Sequence, residues 1–332
     1  MAIVFSKSSG LNDSIYGKSQ EPIKMLLEKE VEAFEQMSAI PKLFKTINSD
    51  NFAEKLTSMT ALDEFSIVAE GGEYPLSDMQ EGFSKVVEPV TWKNSFSVTK
   101  EMIEDNKMLS LNQKAVGFID SYNRSREQYA AALLAGGVTG TATYKGATHN
   151  CKSADNVPLF HNEHPSIISG GAKQSNKFAD AFTVDALGAA ESAMQDFRDD
   201  KGNVLNVAPD TIIIPNNYKL KKAVFEAIGS DKDPATSNNG YNYQFGRWNV
   251  IIWPYLGTIE GAEAPWILMD SKYNQSRGGA VMIERVKLSV KSYIEDKTDN
   301  NVWAGRARFA GGFNNWRAFA IGGVTGGTAL VD

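Results

Sequence analysis

The sequence predicts an α+β fold, on three observations. A period-two stretch at residues 90–99 reads as a half-buried strand, and a long stretch with apolar side chains at helical spacing follows it. The last 60 residues then return to strand patterns, without the steady alternation that marks a parallel βαβ fold.

Residues 1–63 come first. A polar opening, Ser6 to Gln20, leads into Pro22-Ile23-Lys24-Met25-Leu26-Leu27 and a Glu-rich amphipathic helix to Met37, which Pro41 is expected to end. Two proline-bounded pieces with little apolar content make a poor core of their own. They read as an arm that packs against something else.

Residues 64–99 have the texture of a long hairpin. Phe65 to Ala69 predicts a short strand closed by Gly71-Gly72, and Glu73 to Glu88 is a polar, acidic excursion. On the return, Val90, Trp92, Phe96 and Val98 alternate with Thr91, Lys93, Ser95, Ser97 and Thr99, with Asn94 breaking the apolar face. A two-stranded ribbon is marginal in water alone, so it must lie on a neighbour.

Residues 108–135 are the longest helix candidate. Val116, Ile119, Tyr122, Tyr129 and Leu133 recur at helical spacing, and Gly136-Gly137 supplies the stop. A helix of that length spans about 42 Å at 1.5 Å per residue, which suits the spine of a flat molecule.

Thr139 to Asp180 reads as loop. Beyond it Thr183 caps a helix with Leu187, Ala190, Met194 and Phe197 on one face, and Asp199 to Asn203 forms a turn. Thr211 to Ile214 is a buried strand, and Asn216 or Asn217 caps a helix carrying Leu220, Val224 and Ile228 that ends at Gly229. After a polar loop, Ser230 to Gly246, with its Asn238-Asn239-Gly240 turn, come strands at Val250–Trp253 and Trp266–Met269. Ala280–Ile283, Val286–Ile294, Trp303–Phe309 and Trp316–Ile321 complete the strand candidates, the last among seven glycines between Gly305 and Gly327. No internal repeat is visible.

Composition narrows the function classes. Of 332 residues 42% are hydrophobic and 22% charged, with a net charge of -6. That balance argues against a dedicated nucleic-acid binder. The single cysteine, Cys151, excludes an internal disulfide and fits folding in the cytosol. No apolar run approaches the ~20 residues that cross a bilayer, and Ala2 to Phe5, with no basic residues before it, is expected to be neither signal peptide nor anchor.

One cluster could carry chemistry. His149, Cys151, His161 and His164 fall within sixteen residues and offer the N and S donors of a zinc site. The His-x-x-His spacing is nevertheless not the i, i+4 pair of a helical site. Pro158 to Pro165 reads instead as a surface loop whose side chains cap its own turns. There is no Gly-x-Ser-x-Gly elbow, no phosphate loop and no Gly-x-Gly-x-x-Gly after a strand. Pairs such as Glu101/Glu104 and Asp199/Asp200 read as solvated surface. Trp92, Trp248, Trp253, Trp266, Trp303 and Trp316 read as packing. No catalytic, cofactor-binding or metal-ligating residue is assigned, and no enzymatic activity is expected.

Several stretches carry a resemblance. Ser97-Val98-Thr99-Lys100-Glu101-Met102-Ile103-Glu104-Asp105-Asn106 looks like the entry to a spine helix. Gly202 through Pro215, with its Val204-Leu205-Asn206-Val207-Ala208-Pro209-Asp210-Thr211 core, is similar to a turn and strand of Mu-like phage head subunits. Val157 through Pro165 and Arg306-Ala307-Arg308-Phe309 through Asn315-Trp316-Arg317 match the same relatives. From about residue 60 onward the chain resembles the tailed-phage major capsid proteins of the Hong Kong 97-like fold.

The resemblance implies an N-terminal arm (1–63), an extended E-loop hairpin (64–99), a peripheral P domain (100–180 and 273–332) and an axial A domain (181–272). It implies self-assembly into pentamers and hexamers of an icosahedral shell around double-stranded DNA, held without sequence specificity. Assembly would take place in the host bacterial cytoplasm, with a portal and a separate scaffolding protein, since 60-odd residues are too few for a fused scaffold. Some relatives cross-link a hairpin lysine; Lys85 and Lys93 lie on the hairpin, but no cross-link is expected. Trp92 and Phe96 are expected to pack onto an adjacent copy. The alternatives are an encapsulin-like nanocompartment and a zinc-dependent hydrolase built on the cluster of His149, Cys151, His161 and His164.

Overall fold

The computed structural model describes residues 4–5, 38–60, 62–105, 108–168, 171–231 and 241–330. The helix expected at 22–37 and the Asn238-Asn239-Gly240 turn lie outside them.

The N-terminal part packs against the chain's own body. Strand β1 (Val4–Phe5) runs parallel to Ser289 and Val290. Helix α1 (Ile40–Leu43) begins at a proline where the sequence predicts a helix to end. Pro41 sits in the first turn, where a missing N–H leaves no bond unmade. Ile40, Leu43 and Phe44 are buried, and strand β2 (Lys45–Asn48) runs parallel to Val281–Glu284.

The hairpin is real but its strands differ from expectation. Strand β3 (Glu54–Met59) pairs with β4 (Glu81–Val87), and Phe65–Ala69 forms no strand. Sequence reading passed over β3 because Glu-Lys-Leu-Thr-Ser-Met shows little alternation. Its Leu56 packs on Val87, Ile283 and Ala310. Strand β5 (Val90–Val98) leaves the hairpin and joins the main sheet.

Helix α2 (Lys100–Glu104) leads into α3 (Met108–Ala135), whose limits match the sequence prediction. The following region is less irregular than expected. Strands β6 (Thr141–Tyr144) and β7 (Ala147–Asn150) form a hairpin closed by two residues, Lys145 at φ 49° and Gly146 at φ 81°. Positive φ at both central positions is the turn that matches strand twist, and glycine adopts it without a Cβ clash.

The middle of the chain follows its caps. Helix α4 (Val184–Gln195) starts where the Thr183 hydroxyl accepts from the Ala186 N–H at 3.0 Å, and it buries Leu187, Ala190 and Met194. Strand β8 (Thr211–Ile214) is wholly buried. Helix α5 (Tyr218–Ile228) is capped by Asn217 and buries Leu220, Val224 and Ile228. Strands β9 (Asn249–Ile252) and β10 (Ala262–Met269) follow, then the short helix α6 (Ser271–Arg277).

Strand β11 (Ala280–Glu295) is continuous where two strands were expected. Its register with β12 (Asn300–Phe313) shifts between Glu284 and Val286 and again between Val286 and Ser289. Each bulge inserts a residue and so breaks the alternation read from sequence. Trp316–Ala318 is a 3-10 turn, and β13 (Phe319–Val324) begins only after it.

Two sheets result. In the larger, the order is β1-β11-β12-β5, with β2 beside β1 on the same edge of β11. The smaller runs β13-β10-β8-β9, with β8 and β9 parallel and the rest antiparallel. Helix α3 lies on one face of the larger sheet, where Ala115, Phe118 and Ile119 meet Val98, Leu288, Val290 and Trp303. The approach is close: a Cβ on Gly305 of β12 would stand 2.4 Å from the Phe118 ring. Glu127 of α3 is buried, accepts from the Ala39 N–H at 3.1 Å and the Trp253 indole at 2.7 Å, and so ties the N-terminal part to the spine. Among the described residues no helix is long and apolar enough to cross a membrane.

Candidate functional site

The histidine and cysteine cluster does not assemble. His164 is 1% exposed; its Nδ1 lies 2.6 Å from an Asp155 carboxylate oxygen and its Nε2 lies 3.1 Å from Asn176 Oδ1. The ring stacks on Trp316 at 4.0 Å and 9°. Burial pulls its pKa below the ordinary value, against Asp155 and Asn176, which raise it. His161 stands edge-on to His164 at 5.9 Å, and its Nδ1 accepts from the Glu163 N–H. His149 lies apart, edge-on to Tyr129, and burial lowers its pKa. Cys151 is fully buried, and burial pushes its thiol up to about 12. A thiol so held stays protonated at neutral pH. Among the described residues no group of three or more His, Cys, Asp and Glu is placed to hold a metal.

The loop that carries these residues is not the surface loop expected. Leu159, Phe160 and His164 are buried, and Asn176 is the reason. Its Nδ2 donates to the carbonyls of Leu159 at 2.8 Å and Phe319 at 3.0 Å, and its Oδ1 accepts from the His161 N–H at 2.9 Å. Side chains spaced far apart in sequence satisfy one another here, and no local pattern announces it.

The hairpin is where the molecule is unfinished. Beyond the Thr60–Gln80 backbone bond, residues 62–80 form no strand. Phe65, Ile67, Tyr74 and Leu76 are 95–107% exposed, as open as in an isolated extended chain. Between Lys55 and Lys85 the sequence has six acidic residues and no Lys or Arg. Asp63 pairs with Lys201; Glu64, Glu70, Glu73 and Asp78 project into solvent.

At the hairpin's base the opposite holds. Lys85 is 8% exposed and donates to the backbone carbonyls of Asn150, at 3.3 Å, and Lys152. Burial lowers its pKa to about 8, against smaller opposing effects of Cys151 and Asp155. In the isolated subunit this amino group is held by carbonyls of its own chain. The alternation of Phe83, Lys85 and Val87 put it on the inward face of β4, a signal legible in the sequence but not used.

Trp92 and Phe96 are a correction. They pack within their own chain, Trp92 stacked on Phe309 at 5.1 Å and edge-on to Tyr129 at 5.3 Å, Phe96 stacked on Trp303 at 6.2 Å. The sheet partner was β12, more than two hundred residues on. Lys93, on the same strand, points to the opposite, open face.

Tyr218 and Phe225 of α5, and Tyr241, Tyr243 and Phe245 further along the chain, are exposed as well.

A family model described as phage capsid protein matches residues 82–322. Among solved structures, a chain from Microbacterium phage Oxtober96 is similar with a TM-score of 0.51 at 14% identity, over 86% of this chain and 90% of that one. One from Mycobacterium phage Patience has a TM-score of 0.49 at 10% identity, over 100% and 95%. The virus-like particle of Pyrococcus furiosus has 0.48 at 11%, over 91% and 97%. Among curated proteins none matches the sequence.

Proposed function

This chain belongs to the phage capsid protein family, and we propose that it is the major, non-enzymatic shell subunit of a tailed phage. Copies assemble through the hairpin into pentamers and hexamers of an icosahedral head that encloses double-stranded DNA. In this reading residues 1–63 are the arm, 64–99 the E-loop region, 100–180 with 273–332 the P domain, and 181–272 the A domain of a Hong Kong 97-like subunit. A scaffolding protein and a portal complete assembly in the host cytoplasm.

One observation carries the proposal: Phe65, Ile67, Tyr74 and Leu76 are presented on a chain that its own body does not cover. Burying one large apolar side chain contributes about 1.5–3 kcal/mol, so four together are a substantial drive toward a partner, before ordering costs. A contact between a protruding element and a different surface of the next copy is heterologous, and rotation that closes gives rings. A subunit held by several neighbours gains effective concentration with each contact.

The chain is to be expressed alone and with its scaffolding partner, then examined by light scattering and negative-stain imaging. Closed shells, rings or regular tubes are expected. Changing Phe65, Ile67, Tyr74 and Leu76 together to Ser leaves a folded monomer that does not assemble; particles forming as in the wild type would refute the hairpin's role.

A further inference from the structure

Helix α3 covers the face of the larger sheet that carries Phe96, Leu288 and Trp303. On the opposite, basic sheet face, alternation and register bring cations together. Arg306 and Arg308 stand two residues apart on β12, and Lys93 of β5 is the direct cross-strand partner of Arg306. Arg285 joins them through a bulge. Between Glu284 and Val286 the register with β12 slips, so Arg285 and Val286 together oppose the single residue Arg308. On the other side of Arg308, Thr91 of β5 adds a hydroxyl.

These cations have no counter-charge. Among the described residues none of Lys93, Arg285, Arg306 and Arg308 has a carboxylate within ion-pair distance. Arg308 donates through Nη2 to the Pro89 carbonyl at 3.3 Å, while its Nε is enclosed and finds no acceptor among the described residues. Burial lowers the Arg308 pKa, and Arg285 and Arg306 lower it further. A buried donor left unpaired costs free energy, and like charges directly opposite destabilise a sheet. A chain of net charge -6 nevertheless gathers four cations at this point. One bound oxyanion would relieve both costs.

The number of donors selects the anion. A guanidinium presents a planar fork that fits carboxylate and phosphate oxygens alike. A lone carboxylate carries one charge and two oxygens, too few for three forks and an ammonium. A phosphate group carries about -1.5 to -2 at neutral pH and three strong acceptor oxygens. We propose that Lys93, Arg285, Arg306 and Arg308 form a binding site for phosphate, taken as a small free anion such as pyrophosphate. The four converge on one bulge instead of tracking along a strand, which suits a compact ligand. The site belongs to the single subunit and does not depend on the shell reading.

Calorimetric titration and thermal unfolding of the full chain test it, with pyrophosphate set against sodium chloride at matched ionic strength. Dilute pyrophosphate is expected to raise the unfolding temperature to a plateau, because a ligand that binds only the folded chain stabilises it by mass action. Arg306 is exposed, so Arg306→Gln leaves the core untouched. The unliganded Arg306→Gln chain is expected to unfold at a higher temperature than the wild type, freed of its like-charged partner. Its affinity for pyrophosphate is expected to fall about tenfold, the effect of losing one charge-assisted hydrogen bond. Arg308→Gln is expected to lose the response to pyrophosphate. Arg277→Gln removes an exposed arginine elsewhere and is expected to bind as the wild type does. Equal effects of pyrophosphate and chloride, undiminished affinity in Arg306→Gln, or an equal loss in Arg277→Gln overturns the proposal. Should Arg308→Gln fail to fold, Arg306→Gln alone decides. A short DNA duplex that binds in an Arg306-dependent way while pyrophosphate does not would overturn it too, and assign the face to a nucleic-acid backbone.

Discussion

Asn176 and His164 sit at the buried point where three distant stretches meet, and their polar atoms are all engaged. Asn176 reaches carbonyls of Leu159 and Phe319, while His164 joins Asp155 to Asn176 and stacks on Trp316. A buried charge or acceptor that loses its only partner costs far more than the bond itself was worth. His164→Phe retains the stack on Trp316 but takes one partner from the buried Asp155 carboxylate, which keeps Ser153 and Val157, and one from Asn176 Oδ1, which keeps the His161 N–H. We expect a loss of about 1–3 kcal/mol on removing one hydrogen-bonding member of such a buried network, measured by denaturant unfolding. His161→Phe, at a half-exposed ring with one backbone bond, is expected to cost far less. Equal losses at the two positions would show that the network around Asn176 is not what holds the loop in.

At the scale of elements, the base of the hairpin is a lysine in a nearly dry site. Folding lowers the Lys85 pKa from its ordinary 10.5 to about 8, so between those values the unfolded chain binds a proton that the folded chain has released. Stability therefore rises with pH across that window, and the penalty for burying the charge is fully present below about pH 8. Lys85→Met removes both the titration and the two carbonyl bonds. Unfolding curves at pH 7.5 and 9.5 should show the wild type gaining stability relative to Lys85→Met; parallel behaviour would place the amino group in solvent.

Legibility in the sequence followed the range of each interaction. The limits of α3, the Thr183 cap and the four buried residues of β8 were readable because spacing, caps and apolar runs are local. The partner of β5, the continuity of β11 across its bulges and the burial of His164 were not. They depend on Phe309, far along the chain, on residues inserted within β11 that break period two, and on Asn176, outside the local turn. The candidate site divided the same way. The hairpin and its acidity were legible, but Trp92 and Phe96 were assigned to the wrong partner because alternation tells which face is apolar and not which chain covers it.

For the whole molecule, a net charge of -6 conceals two opposed surfaces, an acidic protruding tip and a basic sheet face. The same separation of a finished body from an unfinished hairpin has a simple proteolytic consequence. Cleavage needs a segment that is exposed and free of secondary structure, and residues 62–80 meet that condition while presenting Phe65, Tyr74 and Leu76 to a protease that prefers large apolar side chains. In the free subunit, early chymotryptic cuts are expected there. The two pieces should stay together, because β3 pairs with β4 and β2 with β11 across the cut. If assembly covers the tip, the same bonds become resistant in particles while other exposed sites, such as Phe52, cut as before wherever they stay accessible. Mass spectrometry of time points from matched monomer and particle samples would decide it. Cleavage at Phe65 and Tyr74 at the same rate in both would mean that the tip stays uncovered in the assembled shell, and that the subunits are joined through another surface, with the aromatic side chains of Tyr218, Phe225 and Tyr241 the next to test.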